Sequence, residues 1–429
     1  MIIKKILTNL TAIELFEALK EEKNAIFLDS NDPSSKFSRY TLIFADPFLK
    51  LCSKKKDAFN KLGILLNRYK ISAKNCYFPL GAAAGYVSYE SVLEFGFYDC
   101  SIIYDHFKKQ AYIVSTGLPE TNKTKAKERS TKRLNYFLDK IQSYKKTNPE
   151  NDVLYQRHRS KIFSNFTKSQ YFAAINKIKR YIEQGDVYQV NLSQQFRTKS
   201  TINPYSLYKI IRQKNKVPFG SYIKFNDKEI LSFSMERFLR IHKNDVETRP
   251  IKGTVPRGNS PKEDRRLAKE LLSSKKNLAE LLMITDLERN DLGRVCNYGS
   301  VKVEKLREIE KYSTVFHLVS TIRGKLHKNE THLDCLKACF PGGSITGTPK
   351  IRSMEIISEL EKTKRNVYCG AIGYFGFNRI TDFNIAIRTI YTDKGKLYFN
   401  SGSGITYDSN PQQEYEETLY KVKTFLEVL

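Results

Sequence analysis

Several side chains in this sequence have types and settings suited to nucleophilic, acid–base or metal chemistry. Lys252 stands in RPIKGT, between an isoleucine and a glycine turn. A lysine at a strand end is usually solvated, but a desolvated one loses its proton and becomes a nucleophile. Glu236, in SFSMERF, is a candidate general acid, although a surface glutamate would look the same in isolation. Glu280 lies in the apolar run LAELLMIT, which continues into TDLERNDLGR. If buried there it must be neutralised or liganded, and at the helix edge it is merely wet; spacing leaves both open. Glu414, Glu417 and Lys421 fall at i, i+3 and i+7 and project together from one helix face. Two helices that each offer a carboxylate suit Mg²⁺ shared with an anionic substrate. The competing reading is a solvated Glu417–Lys421 pair, against which stands the SGSGI turn just upstream, where a ligand can approach the backbone. His317, in VFHLVST, sits among aromatic and branched residues, the setting of a core histidine. In FPGGSITGTPK the lysine that a phosphate-binding loop needs directly after Gly347 is replaced by Thr348. The pattern instead predicts that Thr348 caps and Pro349 starts a helix whose free N–H groups face an anion such as a carboxylate.

The elements that must hold these groups follow from periodicity. Thr167 and Gln170 form a capping box, and Tyr171, Ile175, Ile178 and Ile182 carry the helix to a stop at Gly185. A strand over 187–197 puts Gln189, Asn191, Ser193 and Gln195 on one face, and Tyr188, Val190, Leu192 and Phe196 on the other. A wholly polar strand face means solvent or a wet cavity. Helices are predicted near 262–292, 331–340, 349–361 and 411–428, the last with an apolar stripe of Tyr415, Leu419, Val422, Leu426 and Leu429. Before residue 122, the runs AIFLDS, RYTLIFA, GAAAGYVSYE and AYIVSTG read as strands, while the opening MIIKKILTNLTAIELFEALK reads as an amphipathic helix. Strands come in clusters without βαβ alternation. The expected class is therefore α+β, with large antiparallel sheets packed as a sandwich and flanking helices.

Composition bounds the possibilities. The chain has 429 residues with 73 basic and 46 acidic side chains, a net charge of +27. Hydrophobic content of 40% and aromatic content of 12% exclude a disordered chain. No run of eighteen apolar residues is present, so no membrane-spanning helix is expected. Charge concentrates between Asn122 and Thr147, where Lys123, Lys125, Lys127, Arg129, Lys132, Arg133, Lys140, Lys145 and Lys146 face only Glu128 and Asp139. Such a stretch could neutralise phosphates. Lysine is abundant along the whole chain, which favours a solvated connector with neither a nucleic-acid nor a membrane partner. It divides the chain into regions 1–145 and 165–429. The seven cysteines are odd in number and form no CxxC pair; Cys335 and Cys339 have only His332 near them, an incomplete zinc set. A reducing, cytoplasmic setting is expected.

Longer blocks carry more information than any one residue. GDVYQVNLSQQF, PIKGT, AELLMITDLERNDLGR, FHLVSTIRG, FPGGSITGTPKIRSMEII, CGAIGYF, NIAIRT and SGSGITYDSNPQQEYEETLYK follow one another in this order. The series resembles the chorismate-utilising enzymes from about residue 168 to 425, and LDS, FSRYTLIFADP and GYVSYE resemble that family's amino-terminal part. Gln189 occupies the position where water-adding members carry a lysine base and ammonia-adding members a glutamine, which implies an aminating enzyme and argues against isochorismate or salicylate synthesis. PIKGT resembles the aminodeoxychorismate branch, whose product leads to 4-aminobenzoate and folate; the rival anthranilate branch reads PIAGT.

That resemblance implies roles. Lys252 would attack C2 of chorismate while Glu236 protonates the leaving 4-hydroxyl, with His317 close by; ammonia would then add at C4 and expel the lysine. Glu280 and Glu417 would hold Mg²⁺ against the ring carboxylate, with Glu414 in its water shell. Thr254, Gly404 and Lys421 would assist that carboxylate, and Tyr374 and Arg388 the enolpyruvyl carboxylate. The family often has an acidic residue three before Glu280, here Asn277, which implies weaker outer-shell support for the metal. Ser30, Phe37, Ser38, Arg39, Tyr40, Pro218, Phe219 and Gly220 match the family's tryptophan pocket. The sequence carries no recognisable glutaminase module, so ammonia would come from a glutamine amidotransferase partner (component II) or from solution.

Overall fold

Runs rich in β-branched and aromatic residues pair antiparallel throughout the computed structural model, which describes residues 1–55, 57–73, 76–146, 160–313 and 315–429. Among these residues two large sheets form. One runs, in spatial order, through Ile2–Ile6, Gln110–Ser115, Cys100–Asp105, Tyr40–Phe44, Ile26–Asp29, Phe219–Phe225, Lys228–Ser234, Thr389–Asp393, Lys396–Ile405, Gln189–Thr198 and Gly347–Thr348. The other runs through Ile251–Pro256, Val315–Lys325, Asp245–Thr248, Arg237–His242, Ile380–Ile385, Ala371–Gly376, Ala82–Val87, Leu93–Tyr98 and Leu49–Ser53. Ile26, Phe44 and Ile223 of the first pack with Ala84, Tyr86 and Ile372 of the second, so the expected sandwich is present. Helices cover the outer faces: Phe16, Phe137, Tyr208 and Phe425 lie on the first sheet, Leu62, Leu292 and Leu336 on the second.

The regions either side of the basic stretch are not separate bodies. Ile26–Asp29 pairs with Phe219–Phe225, and Ala82–Val87 pairs with Ala371–Gly376, so the amino-terminal region supplies strands to both sheets. The basic stretch itself is not a connector. Lys123–Ser143 is a helix that buries Leu134, Phe137 and Ile141, while Arg129 and Arg133 reach the buried Asp99. Its cations occupy the outward positions of an amphipathic helix, which charge counting cannot distinguish from a tether.

Other expectations need correction. The first residues form the edge strand Ile2–Ile6, paired with Gln110–Ser115, before the short helix Ala12–Glu17. The predicted 262–292 helix is two, Pro261–Ser273 and Lys275–Gly293, because Ser274 turns out of helical geometry and caps the second through the Asn277 N–H. The last helix likewise breaks at Val422. Thr348 caps nothing: it pairs with Gln189 as a strand residue, and the helix Lys350–Glu361 starts without a side-chain cap. The Thr167 and Gln170 capping box and the stop at Gly185, at φ +82°, are as expected. No helix among the described residues is long and apolar enough to cross a membrane.

Candidate active site

The polar face of Gln189–Thr198 is neither solvated nor filled by apolar packing. Gln189, Asn191 and Ser193 are buried, and the strand pairs with Lys396–Ile405 so that Asn191 lies opposite Gly404 and Ser193 opposite Gly402. The two glycines leave this region bare, and a cavity of about 340 Å³ opens beside it, lined by Asn191 from this strand and by Asn400, Ser401, Gly402, Ser403 and Gly404 from its neighbour. A Cβ at Gly404 would lie 1.9 Å from Gln189 Nε2 and 3.5 Å from Lys252 Nζ, so both side chains converge on the space above that glycine.

Several strands and helices bring the groups together. The edge strand Ile251–Pro256 supplies Lys252 and Thr254, the turn before Arg237–His242 supplies Glu236, and Val315–Lys325 supplies His317. Lys252 Nζ donates to the Ser344 carbonyl at 3.4 Å. Glu236 is buried, which pushes its carboxyl up to about 7 against the opposing pull of the Ser344 hydroxyl and Lys252. A large share of it therefore carries its proton near neutrality and can donate. His317 is held neutral by burial, which drives it down to about 3; its Nδ1 is 2.8 Å from Thr254 Oγ1 and its Nε2 is buried without a protein partner.

On the opposite wall, Lys275–Gly293 offers Glu280, while Pro411–Lys421 offers Glu414, Glu417 and Lys421. Burial raises Glu280, and Glu414 and Glu417 add to the effect, with Lys252 and Lys276 opposing it. Burial acts against ionisation of Glu417 too, but Lys421 at 2.6 Å holds it below its ordinary value. Glu414 is buried and bonded to Ser409 at 2.8 Å and Lys276 at 3.3 Å. These carboxylates face one cavity without converging into a group of three or more ligands among the described residues. Mg²⁺ keeps several waters and takes one or two carboxylates plus substrate oxygens, so the all-oxygen donor set fits that ion. Asn277 also lines this wall, beside Gly253.

Arg388 completes the cationic end. It is held in the left-handed region at φ +51°, donates to the Lys421 carbonyl, and burial lowers it to about 10. Backbone geometry of this kind persists where the surroundings over-determine it, as functional sites do.

The structure separates one predicted residue from the rest. Tyr374 lies on Ala371–Gly376 and points into a second cavity; the tyrosine of this block that lines the first is Tyr368, six residues earlier in VYCGAIGYF. Cys369, next to Tyr368, is held in the left-handed region at φ +63°. Asn191, Lys276, Ser344, Asn400 and Tyr420 line the cavity too and were not singled out from sequence as site residues. The polar strand face was the signal for Asn191.

The second cavity, about 220 Å³, gathers Ser30, Phe37, Arg39, Tyr40, Pro218, Phe219 and Gly220; Ser38 is buried beside it but does not line it. Arg237 sits 4.8 Å from the rings of both Phe37 and Phe219 and pairs with Asp382 at 3.0 Å. Consecutive residues, Glu236 and Arg237, thus face the two cavities.

This fold and site define an enzyme that acts on chorismate. The family described as "chorismate binding enzyme" matches residues 23–427, and the chain belongs to it. It is 34% identical to anthranilate synthase component 1 of Acetivibrio thermocellus over 98% of this chain and 92% of that protein. It is 47% identical to aminodeoxychorismate synthase component 1 of Bacillus subtilis over 60% of this chain and 54% of that one. The crystal structure of anthranilate synthase component I from Streptococcus pneumoniae superposes with a TM-score of 0.80, at 29% identity, over 91% of this chain and 93% of that chain.

Proposed function

We propose that this chorismate-utilising enzyme aminates chorismate at C4, as aminodeoxychorismate synthase component I. The observation that carries the reading is the amine of Lys252, set in one cavity with Glu236, whose carboxyl burial raises to about 7, and converging with Gln189 on the space above Gly404. The Lys252 amine forms a bond to C2, the two ring double bonds shift from C1=C2 and C5=C6 to C1=C6 and C4=C5, and the C4–O bond breaks as Glu236 delivers its proton, releasing water. Ammonia then bonds to C4, both double bonds return to C1=C2 and C5=C6, the lysine leaves C2 with its electron pair, and the Glu236 carboxylate takes back the proton the new amine sheds. Neutral His317, tied to Thr254, offers the leaving group a hydrogen-bonding partner without a competing charge. Lys421, Thr254 and the bare backbone at Gly404 receive the ring carboxylate, and Arg388 with Tyr368 the enolpyruvyl carboxylate. Glu280 and Glu417, backed by Glu414, would hold Mg²⁺, which supplies countercharge to the ring carboxylate when bound.

Ammonia would be delivered by a glutamine amidotransferase, in keeping with relatives named component 1. The second cavity would take tryptophan, its aromatic walls and its Arg237 and Asp382 pair suiting a zwitterionic aromatic amino acid. A cytoplasmic location agrees with seven free cysteines.

Anthranilate synthesis is the second reading, favoured by the relative matched along nearly its whole length. One experiment separates them: incubation with chorismate, Mg²⁺ and ammonium, with the product identified by mass and retention. Without ammonium, a chorismate-derived adduct should appear on the peptide containing Lys252 and vanish in Lys252→Ala. Anthranilate as product, with no adduct, overturns the C4 reading.

A further inference from the structure

A buried ion pair grips the wall of the first cavity from behind. Arg365 heads the fully buried side chains by size. Its guanidinium makes two bonds to Glu361, at 2.6 and 2.9 Å, and two more to backbone carbonyls, Ile345 at 2.9 Å and Asn191 at 2.7 Å. Glu361 in turn accepts the Ser193 backbone N–H at 2.8 Å. The ring of Tyr89 covers the guanidinium at 4.7 Å.

Asn191 and Ile345 both line the cavity. Next to Ile345, Ser344 gives its carbonyl to Lys252 Nζ, and its hydroxyl neighbours Glu236. One planar cation therefore fixes the Ser344–Ile345 turn and the Gln189–Thr198 strand together. A buried ion pair is no better for stability than apolar packing of similar volume, so stability alone does not account for it. What the guanidinium adds is a fork that serves four acceptor positions at once, which an ammonium cannot reproduce.

The geometry points to Arg365, held by Glu361, as a positioning residue that sets Lys252 and Glu236 against the substrate. The inference rests on this cavity being the chorismate site, but not on which product forms there. Arg365 touches no reacting atom; it acts through the backbone of Asn191 and Ile345. A small misplacement of reacting groups costs rate rather than affinity.

The test compares Arg365→Lys with Tyr89→Leu, which removes the ring and keeps all four guanidinium bonds. Arg365→Ala is a poor probe, because it strands Glu361 in the core. Chorismate consumption is measured at saturating ammonium and Mg²⁺, with the folded fraction followed by circular dichroism. Arg365→Lys should stay folded and lose kcat by about tenfold to a hundredfold, with KM for chorismate within about twofold. Tyr89→Leu should keep kcat within about twofold. Wild-type kcat in Arg365→Lys, a loss matched by unfolding, or an equal loss in Tyr89→Leu would each overturn the proposal. Should the wild-type enzyme form anthranilate, the C4 reading fails while this comparison still decides the role of Arg365.

Discussion

Gln189 Nε2 occupies the space that any side chain at Gly404 would need, 1.9 Å from the ideal Cβ position. Real Cβ contacts do not come so close, so Gly404→Ala must move the Gln189 amide from its present place. The same Cβ would also touch Lys252 Nζ at 3.5 Å, beside the amine the proposed chemistry uses. The expected result is a fall in kcat/KM for chorismate on the order of a hundredfold, with little change in melting temperature. Steady-state kinetics with a parallel thermal melt check it, and a variant that turns over normally would dissociate Gln189 from catalysis.

The Glu236 carboxyl, raised to about 7 by burial, must carry its proton to act as an acid. The alkaline limb of the profile should therefore fall as pH rises through about 7. Glu236→Gln cannot donate a proton; its rate should drop by about 10²–10⁴, and this limb of the profile should disappear. A pH–rate profile of kcat for both proteins reads the outcome, and an unchanged limb in the variant would assign it elsewhere.

How much of this was legible beforehand follows from particular residues. The Gln189–Thr198 strand was readable because alternation is a local property, and its polar face pointed to a wet cavity. Lys252, Glu236, Glu280, His317 and Glu417 do meet there, but from five distant segments that spacing alone could not assemble. Tyr374 was misplaced because two tyrosines flank one short block, and its local pattern does not say which of them lines the first cavity. The Lys123–Ser143 helix was misread because its cations outnumber the few residues it buries. The sharing of both sheets by the two halves of the chain depends on long-range pairing, to which local pattern is blind.

That helix yields a prediction with two arms. Lys123, Lys125, Lys127 and Lys132 are exposed, so replacing all four with glutamine should leave turnover intact and shift stability by less than about 0.5 kcal/mol per site. Arg133 is different: it pairs with the buried Asp99 at 3.3 Å and with Asp46 at 2.6 Å. Arg133→Ala leaves Asp99 only Arg129 and should cost about 3 kcal/mol in denaturant unfolding. Equal effects from both sets of changes would mean that the arginine is no more than another surface charge.

Metal dependence follows from the carboxylate wall. Chelation should abolish chorismate consumption and added Mg²⁺ should restore it. Glu280→Gln should need more Mg²⁺ for half-maximal rate, by about tenfold to a hundredfold. Full activity of the chelated wild-type protein would remove Glu280 and Glu417 from any metal role.

Glu288, in the TDLERNDLGR block, gives a stability prediction independent of turnover. It is buried, accepts the Thr248 hydroxyl at 2.7 Å, and is raised to about 8, first by burial and then by the nearby Glu236 and Asp291 carboxylates. Its ordinary value is 4.5, so the folded state favours the protonated form. The stabilising contribution is then complete below 4.5 and erodes as pH climbs towards 8, by about 1.4 kcal/mol per pH unit while the shift operates. Glu288→Gln keeps the shape and an acceptor for Thr248 but cannot ionise, so its stability should vary less over this window and gain on the wild type as pH rises. Glu236, raised to about 7, erodes stability in an overlapping window, so some slope should persist in the single variant and flatten further in Glu236→Gln/Glu288→Gln. Urea unfolding at pH 5, 6, 7 and 8 measures each slope. Parallel curves for wild type and Glu288→Gln would mean that Glu288 is ionised, and stabilised as such, within the folded protein.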